Sequence, residues 1–273
     1  MSRLVIYHSN CYDGVTAAYV LHMMYGLEDN IEFVPCNYSD PPPDVNDKDV
    51  VIVDFSFKRP ILEEIKSKAK SLLILDHHKT AMEDLKDFPN AIFDMNQSGA
   101  GLALRYYYPV LARCPLRSLV EYVEDRDLWR FQLPTSKEIT AWIQSFDINL
   151  ETWIKEVGPT FNVKTAEAEG KSLLRMQDKY VKQICANAYL KRIRDYLAPY
   201  VQTSILMSEV CDYLIKNYEG GKYPFSFYSF RRKDGKTQYG LRSRSDFDVS
   251  VIAKQFGGGG HKQAAGFEVD EEL

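Results

Sequence analysis

Short apolar runs alternate with amphipathic segments through the first half of the chain. The runs predict buried strands at residues 4–8, 31–36, 49–55 and 71–78. Apolar residues at helical spacing over 15–26, and a segment that Pro60 opens and that extends to about Lys70, predict helices between them. Strands that alternate with helices need crossover connections, so the pattern predicts an α/β fold with a mostly parallel sheet flanked by helices.

The pattern changes after about Asn149. Residues 162–198 are rich in Ala, Leu, Lys, Gln and Glu and predict one long helix. Beyond Pro199, β-branched and aromatic residues follow, and Asp234-Gly235 between SFYSFRRK and KTQYGLRS predicts a hairpin. We therefore expect an N-terminal α/β domain, a helical linker and a smaller C-terminal α/β domain at 1–155, 156–198 and 199–273, with the active site in the cleft between the domains.

Composition is that of a soluble globular protein. Of the 273 residues, 45% are hydrophobic and 26% are charged, and no apolar run approaches the length of a membrane span. The first residues, MSRLVIYHSN, lack the features of a signal peptide, which predicts a cytoplasmic protein without membrane attachment. The five cysteines are widely spaced without a CxxC pair, which argues against a zinc finger and a disulfide framework.

The charge pattern bears on the substrate. The net charge is −4, whereas proteins that grip long duplexes are usually basic. Residues 230–244 nevertheless contain six Lys and Arg residues against the single acid Asp234. This basic stretch is either the solvated surface of a hairpin or a contact for a short phosphorylated substrate.

Polar residues with metal-binding side chains follow three of the predicted strands. His8 and Asp13 come after the first strand, Asp54 after the third, and Asp76-His77-His78 after the fourth. A buried charge at a strand end is unfavourable unless it is paired or bound to a cation, and the carboxyl ends of parallel strands meet at one sheet edge. Carboxylates flanked by imidazoles suit manganese, and also magnesium, cobalt or iron.

A glycine run near the C-terminus is a second candidate site. Gly258, Gly259, Gly260 and His261 follow Arg242 and Arg244 in the chain. Successive glycines let backbone N–H groups approach a phosphate closely, although such runs also form simple turns.

Five blocks, in order, resemble the DHH phosphoesterase superfamily. They extend over nearly the whole chain and comprise His8-Ser9-Asn10-Cys11-Tyr12-Asp13-Gly14 with Ala17-Ala18, Val53-Asp54, Asp76-His77-His78, Asp125-Arg126-Asp127-Leu128-Trp129, and Gly258-Gly259-Gly260-His261 with Ala264-Ala265-Gly266-Phe267. The last block is similar to the family's DHH-associated C-terminal domain.

The resemblance implies a two-metal hydrolase of phosphoanhydrides or phosphodiesters, usually with Mn²⁺. Asp54 resembles the carboxylate that bridges both metals, and His8 resembles a ligand of one of them. Asp13, His77 and Asp125 resemble the ligands of the other. His78 matches the residue beside the scissile phosphate, so His78, Asp54 and His77 form the expected catalytic group. Asp76 matches a residue that orients its neighbours.

Two positions leave alternatives open. Many family members have Asp where this chain has Cys11, and a thiolate ligand favours zinc, iron or cobalt. Cys11 is therefore a metal ligand, or a bystander beside a site completed by Asn10 or water. Asp127 competes with Asp125 for one ligand position, and we favour Asp125 because it matches the family position. Ser98 resembles a family element near the active site, or it simply caps the helix predicted at 99–108.

The predicted activity is hydrolysis of short single-stranded oligonucleotides to mononucleotides, as in an exonuclease or nanoRNase. The substrate contacts are expected from Arg242, Arg244, Gly258, Gly259, Gly260, His261 and Ser98. A phosphodiesterase of cyclic or linear dinucleotides is the close alternative, and Cys11 motivates a second alternative, a catalytically silent nucleotide-binding protein. A dinucleotide-binding oxidoreductase is disfavoured because no G-x-G-x-x-G follows the first strand.

Overall fold

A computed structural model of the protein describes residues 2–26, 30–38, 40–108, 114–244 and 246–273. The chain divides into two compact units, Met1–Leu174 and Arg175–Leu273. Within the described ranges, no helix has the length and apolar character needed to cross a membrane.

The first unit contains a sheet of five parallel strands in the order β2-β1-β3-β4-β5. The strands are β1 (Arg3–His8), β2 (Ile31–Cys36), β3 (Asp49–Val53), β4 (Ser71–Asp76) and β5 (Ala91–Phe93). The predicted α/β fold and parallel sheet are confirmed. The sequence pattern missed β5, which is only three residues long.

Helices cover both faces of this sheet. They are α1 (Tyr12–Tyr25), α2 (Arg59–Lys68), α3 (Lys79–Asp84), α4 (Gly99–Tyr107), α5 (Arg117–Asp127) and α6 (Ser136–Ile143), followed by α7 (Leu150–Thr152), a π-helical turn (Trp153–Val157) and α8 (Gly158–Thr160). Alternate residues of β1 enter separate cores: Val5 packs with α1, and Ile6 packs with α2. Burial on both faces explains why the strands appear as unbroken apolar runs, and each fully buried aliphatic side chain contributes roughly 1.5–3 kcal/mol.

Helix α9 (Val163–Cys185) contributes to both units. Ala166 belongs to a core of the first unit, and Val181 and Cys185 pack in the second. The predicted helix over 162–198 is wrong beyond Cys185, because two strands begin soon afterwards. These are β6 (Tyr189–Ile193) and β7 (Tyr196–Gln202), joined through Arg194 in a left-handed conformation with φ 52°. Pairing of β7 with a further strand overrides the local helix propensity.

The second unit has a six-stranded sheet in the order β10-β11-β9-β8-β7-β6. Its remaining strands are β8 (Phe225–Arg231), β9 (Thr237–Ser243), β10 (Gly259–Gly260) and β11 (Ala264–Val269), and its helices are α10 (Met207–Asn217), a 3₁₀ turn (Tyr218–Gly220) and α11 (Val249–Lys254). Strands β8 and β9 form the predicted antiparallel hairpin, and Gly235 takes the left-handed conformation of its turn with φ 88°.

Candidate metal and phosphate site

Three neighbouring strands of the first unit end at the same level of the sheet. The register pairs Tyr7 with Val53 and Val53 with Leu75, so the residues that follow them form one row at the carboxyl edge. That row consists of His8, Asp54 and Asp76, with His77 next along the chain. The sheet edge therefore gathers acidic and imidazole side chains where ligands bind in open parallel sheets.

Asp54 lies at the centre of this group and is buried, with 1% of its surface exposed. Its Oδ1 lies 3.1 Å from His77 Nε2, and its Oδ2 lies 3.4 Å from His8 Nδ1. The backbone of Asp54 is left-handed with φ 58°, and its amide donates to the carbonyl oxygen of Leu75 over 2.9 Å. A non-glycine residue held in this conformation costs roughly 1–3 kcal/mol, a strain that is typical of functional sites.

The first turn of α4 holds the carboxylate of Asp13. The amides of Gly99 and Ala100 donate to Asp13 over 2.5 and 3.0 Å, so α4 directs its N-terminal N–H groups at this acid. His77 Nε2 lies 3.7 Å from Asp13 Oδ2. A Cβ atom added to Gly99 would lie 2.4 Å from the Cβ of Asp54, which explains the glycine at this position.

The structure brings Asp127, rather than Asp125, to the cluster. Asp127 Oδ2 lies 3.6 Å from His77 Nε2. The carboxylate of Asp125 instead accepts hydrogen bonds from the amides of Gln132 and Leu133, at 2.9 and 3.2 Å. Both acids lie on the last turn of α5, and two residues on a helix differ in direction by about 200°.

The raised pKa values of Asp13 and His77 show that the cluster favours the binding of positive charge. Burial and the charges of Asp54 and Asp127 raise the pKa of Asp13 well above its usual value. Burial alone would raise the pKa of Asp54, but the hydrogen bond with His77 and the nearby imidazoles of His77 and His8 bring it well below the ordinary range. Burial lowers the pKa of His77, and the surrounding carboxylates outweigh that effect and raise it to about 10.

His78 is oriented by Asp76. His78 Nδ1 lies 2.7 Å from Asp76 Oδ1, and Ser56 Oγ donates to Asp76 Oδ2 over 2.6 Å. One donor atom each of Asp54, Asp76 and His78 lies within 4.8 Å of the others, so His78 adjoins the centre of the cluster. This is the arrangement in which a buried carboxylate fixes the orientation of an imidazole ring.

The donor atoms fit divalent cations in two overlapping sets. His8, Cys11 and Asp54 form one set, and Asp13, Asp54 and His77 form the other, with the donor atoms of each set within 4.8 Å of one another. His8 Nδ1 and Asp54 Oδ2 are buried and lack a hydrogen-bond partner among the described residues. Burial and the charges of Asp54, Asp127 and Asp13 raise the pKa of the Cys11 thiol well above its usual value. Buried polar atoms without a hydrogen-bond partner, such as His8 Nδ1 and Asp54 Oδ2, are unfavourable unless a bound ligand satisfies them.

Ser98 forms the N-cap of α4. Its hydroxyl accepts from the amide of Gly101 over 3.1 Å, and its own amide donates to Glu124 Oε2 over 3.0 Å. Ser98 is fully buried, and Glu124 is also bound by both terminal nitrogens of Arg105. The structure therefore places Ser98 in the support of α4, one residue before the amides that hold Asp13.

In the second unit, Arg244 differs from Arg242. Arg242 donates to Ser208 Oγ from Nε and Nη2, at 3.3 and 3.0 Å. Arg244 Nε and Nη2 are buried and lack a hydrogen-bond partner within the described part of the chain. A buried guanidinium with unsatisfied donors is suited to an anionic group such as a phosphate.

The glycine run packs tightly against β11. The amides of Gly257 and Gly258 donate to carbonyl oxygens at the end of α11, and the amide of His261 donates to the carbonyl of Ala264. A Cβ atom at Gly258 would lie 2.1 Å from the Gly266 carbonyl oxygen, and one at Gly260 would lie 2.6 Å from the Ala264 carbonyl oxygen. The run therefore meets a steric need, and three of its backbone donors are already used within the unit.

The sequence and the fold of this chain are similar to those of known proteins. Residues 200–273 match the family model of the DHHA1 domain. The fold over 97% of this chain is similar to 82% of the DHH domain of a member of the s1p family of ribosomal proteins, with a TM-score of 0.62 and 13% identity. Residues 200–273 are a DHHA1 domain, and the chain has the fold of a DHH-domain protein. The resemblance inferred from the five sequence blocks is thus confirmed.

Two further proteins are similar to this chain, one in its fold and one in its sequence. A pGpG-specific phosphodiesterase, PggH of Vibrio cholerae, is similar in fold over 98% of this chain and 93% of its own, with a TM-score of 0.50 and 16% identity. Uncharacterized protein R106 of Acanthamoeba polyphaga mimivirus is 31% identical over 287 aligned residues. The match covers 96% of this chain and 66% of that protein, so the chain spans about two thirds of its relative's length.

One residue beside the cluster was not found from the sequence. The ring of Tyr38, just after β2, lies 5.4 Å from the ring of His8 and 6.0 Å from that of His78, measured between centroids. Tyr38 is 52% exposed. The strand-end rule that identified His8 would have led to Tyr38 had it also been applied to β2.

Proposed function

We propose that this DHH protein is a metal-dependent phosphodiesterase that hydrolyses short single-stranded oligonucleotides to mononucleotides. The observation on which the proposal depends is the position of Asp54, which contributes donor atoms to two overlapping sets. A carboxylate shared in this way is suited to bridging two divalent cations. Manganese is the leading candidate for the oxygen-rich set, with magnesium, cobalt, iron or zinc as alternatives.

The residues that would hold the cations are His8, Cys11 and Asp54 on one side, and Asp13, Asp54, His77 and Asp127 on the other. Bound divalent cations would supply Lewis acidity towards phosphoryl oxygens and a nucleophilic water near neutral pH. The α4 amides keep Asp13 in place, and the left-handed backbone of Asp54 directs its carboxylate to the centre.

We assign His78 the contact with the reacting phosphate. Its Nδ1 is occupied by Asp76, and Ser56 fixes Asp76 in turn. In this proposal His78 contacts the phosphoryl group through Nε2, where it stabilises developing negative charge or donates a proton to the leaving oxygen. Burial lowers the pKa of His78, but the charge and hydrogen bond of Asp76 raise it above its usual value, which favours the protonated donor form.

The preference for short substrates rests on the DHHA1 domain and on charge. The unsatisfied guanidinium donors of Arg244 provide a phosphate contact. Arg242 lies two residues earlier and pairs across the sheet with Ala264, three residues after His261. The net charge of −4 is unfavourable for a long polyanion, which gains affinity from many basic contacts. In this proposal, a few nucleotides fill the site.

A linear or cyclic dinucleotide is the second candidate substrate. It is favoured by the fold similarity to PggH, which is named as a pGpG-specific phosphodiesterase. The two candidates share the same bond cleavage and differ only in the length of chain that the site accepts.

We place the reaction in the cytoplasm. All five cysteines are free thiols in the structure. Thiols without disulfide bonds are usual in the reducing cytosol, whereas secreted proteins of this kind commonly form disulfides.

A length series with labelled substrates tests the function. Protein with Mn²⁺ is incubated with oligonucleotides from dinucleotides upward and with cyclic dinucleotides, and products are resolved over time. We expect mononucleotide release that is fastest for the shortest chains, and loss of both turnover and metal binding in Asp54→Ala. Asp44→Ala is the matched control, because Asp44 is exposed and its carboxylate accepts hydrogen bonds from the neighbouring Asn46. Cleavage of dinucleotides alone would favour the second candidate, and wild-type rates in Asp54→Ala would refute the metal assignment.

A further inference from the structure

The two donor sets that share Asp54 are chemically unequal. One set combines the imidazole of His8 and the thiol of Cys11 with Asp54. The other combines two carboxylates, Asp13 and Asp54, with His77, and the carboxylate of Asp127 lies 3.6 Å from His77. Sulfur and nitrogen ligands select zinc, iron or cobalt, whereas carboxylate-rich sets suit manganese and magnesium.

Cys11 is placed differently from the other four cysteines. Cys36, Cys114, Cys185 and Cys211 are buried, and the first three belong to hydrophobic cores. Cys11 is only half-buried and precedes α1, with its sulfur within 4.8 Å of donor atoms of both His8 and Asp54. Its position is thus defined by metal-binding side chains instead of by a core.

We propose that this chain builds an unsymmetrical pair of metal sites, with a softer cation on His8, Cys11 and Asp54 and a harder one on Asp13, Asp54, His77 and Asp127. The proposal rests on the proposed function for the presence of two cations, and it adds the identity of each. The softer position takes Zn²⁺, Fe²⁺ or Co²⁺, and the harder position takes Mn²⁺ or Mg²⁺. Asp54 contributes one carboxylate to both.

Cobalt provides a direct readout of the thiolate. The full chain, stripped with a chelator, is titrated with Co²⁺, and its near-ultraviolet absorption is recorded. Coordination by Cys11 produces a thiolate-to-cobalt charge-transfer band, which Cys11→Ser should lose and Cys36→Ser should retain. Cys36 is the matched control because it lies in a core of the same unit.

Metal competition tests the inequality of the two positions. Protein is reconstituted with equal amounts of Zn²⁺ and Mn²⁺ and separated from free metal. Elemental mass spectrometry then measures the number of zinc and manganese ions bound per chain. We expect one equivalent of each metal in the wild type. Zinc affinity should fall at least about 10-fold in Cys11→Ser, because loss of a direct ligand costs no less than loss of a supporting group. In Cys11→Asp, the bound metal should shift towards manganese.

The outcomes separate this proposal from the proposed function. Wild-type protein that hydrolyses phosphodiesters without a charge-transfer band, or with a band that survives in Cys11→Ser, would overturn the thiolate assignment and leave the function standing. A band that disappears in Cys11→Ser, in protein that hydrolyses none of the substrates, would leave the metal assignment standing and overturn the function. A zinc-to-manganese ratio that is the same in the wild type, Cys11→Ser and Cys11→Asp would overturn the inequality.

Discussion

Asp125 and Asp127 show at the scale of single residues how two like side chains acquire unlike roles. Asp125 receives two backbone N–H groups of the segment that follows α5, while Asp127 approaches His77. The first arrangement stabilises a turn, and the second adds negative charge to an already acidic cluster. The two acids should therefore respond oppositely to the same substitution.

Asp127→Asn should weaken metal binding and turnover without destabilising the fold. The change removes a charge that repels Asp13 and attracts protonated His77, so the two effects oppose each other and the free energy of unfolding measured in chelator should change little. Metal affinity should fall roughly 10–100-fold. Metal titration followed by calorimetry, together with denaturant unfolding, measures both quantities.

Asp125→Asn is the paired experiment. An amide nitrogen would replace one of the oxygens that accept from Gln132 and Leu133, so a buried N–H would lose its acceptor. The free energy of unfolding should fall by about 1–3 kcal/mol. Metal stoichiometry should remain that of the wild type, and a variant that is stable but lacks one metal would reverse our assignment of these two acids.

The sequence was sufficient to predict most of the cluster, because strand ends and the family blocks both point to His8, Asp13, Asp54, Asp76, His77 and His78. It was not sufficient for the choice between Asp125 and Asp127. That choice depends on where α5 ends and on the rotation of its last turn, which a one-dimensional motif does not contain. Nor did the sequence show that Gly257, Gly258 and His261 donate their amides within the second unit.

Helix α4 is the element on which the site depends most. It begins beside the cluster, and its first amides hold Asp13. Its entry is fixed by the Ser98 cap and by Glu124, to which Arg105 of the same helix also binds. The position of α4 thus determines the position of Asp13, a proposed metal ligand that lies on a different helix, α1.

Gly99→Ala should impair catalysis more than stability. The added methyl group would lie 2.4 Å from the Cβ of Asp54, so either α4 or Asp54 must move. We expect destabilisation of about 1–3 kcal/mol from overpacking, and a turnover loss on the order of 100-fold from a displacement of about 1 Å. Steady-state kinetics and denaturant unfolding test this, and Ser98→Ala, which removes only the cap, should cost about 0.5–2 kcal/mol and retain most activity.

Arg105→Met should destabilise the first unit. Glu124 is 7% exposed and would lose its two hydrogen bonds from Arg105, while the longer ion pair of its Oε1 with Arg130 Nη1, at 3.9 Å, would remain. Breaking a buried ion pair costs about 3–5 kcal/mol, and we expect the lower part of that range because the Arg105 side chain is 39% exposed. Denaturant unfolding of Arg105→Met, compared with the double variant Arg105→Met and Glu124→Gln, should show partial recovery when the uncompensated charge is removed.

At the element scale, strands were predicted well where both faces are buried and poorly where pairing alone defines them. Strands β1, β3 and β4 carry continuous apolar runs, so the sequence pattern identified them. The hairpin of β6 and β7 has the composition of a helix, and it forms because β7 pairs with β8 far along the chain. Local propensity holds no information about such a partner.

For the whole molecule, the acidic cluster couples metal binding to folding. Buried carboxylates that repel one another are present in the folded chain and separated in the unfolded one, so a cation that binds only the folded state stabilises it. We expect Mn²⁺ at 100 times its dissociation constant to add about 2.7 kcal/mol, which corresponds to an increase of roughly 5–10 °C in melting temperature. Scanning calorimetry in chelator and in Mn²⁺ measures the shift, and Asp54→Asn should show none.

The left-handed backbone at Asp54 has an evolutionary consequence. Glycine and asparagine adopt this conformation at least as readily as aspartate does, so the backbone itself does not require aspartate there. Selection for the reaction is what maintains the acid. In any descendant of this protein that has lost its activity and survives as a binding partner or scaffold, position 54 should be among the first to drift, and towards Gly or Asn. A survey of genomes could thus recognise inactive descendants of this protein by Gly or Asn at position 54.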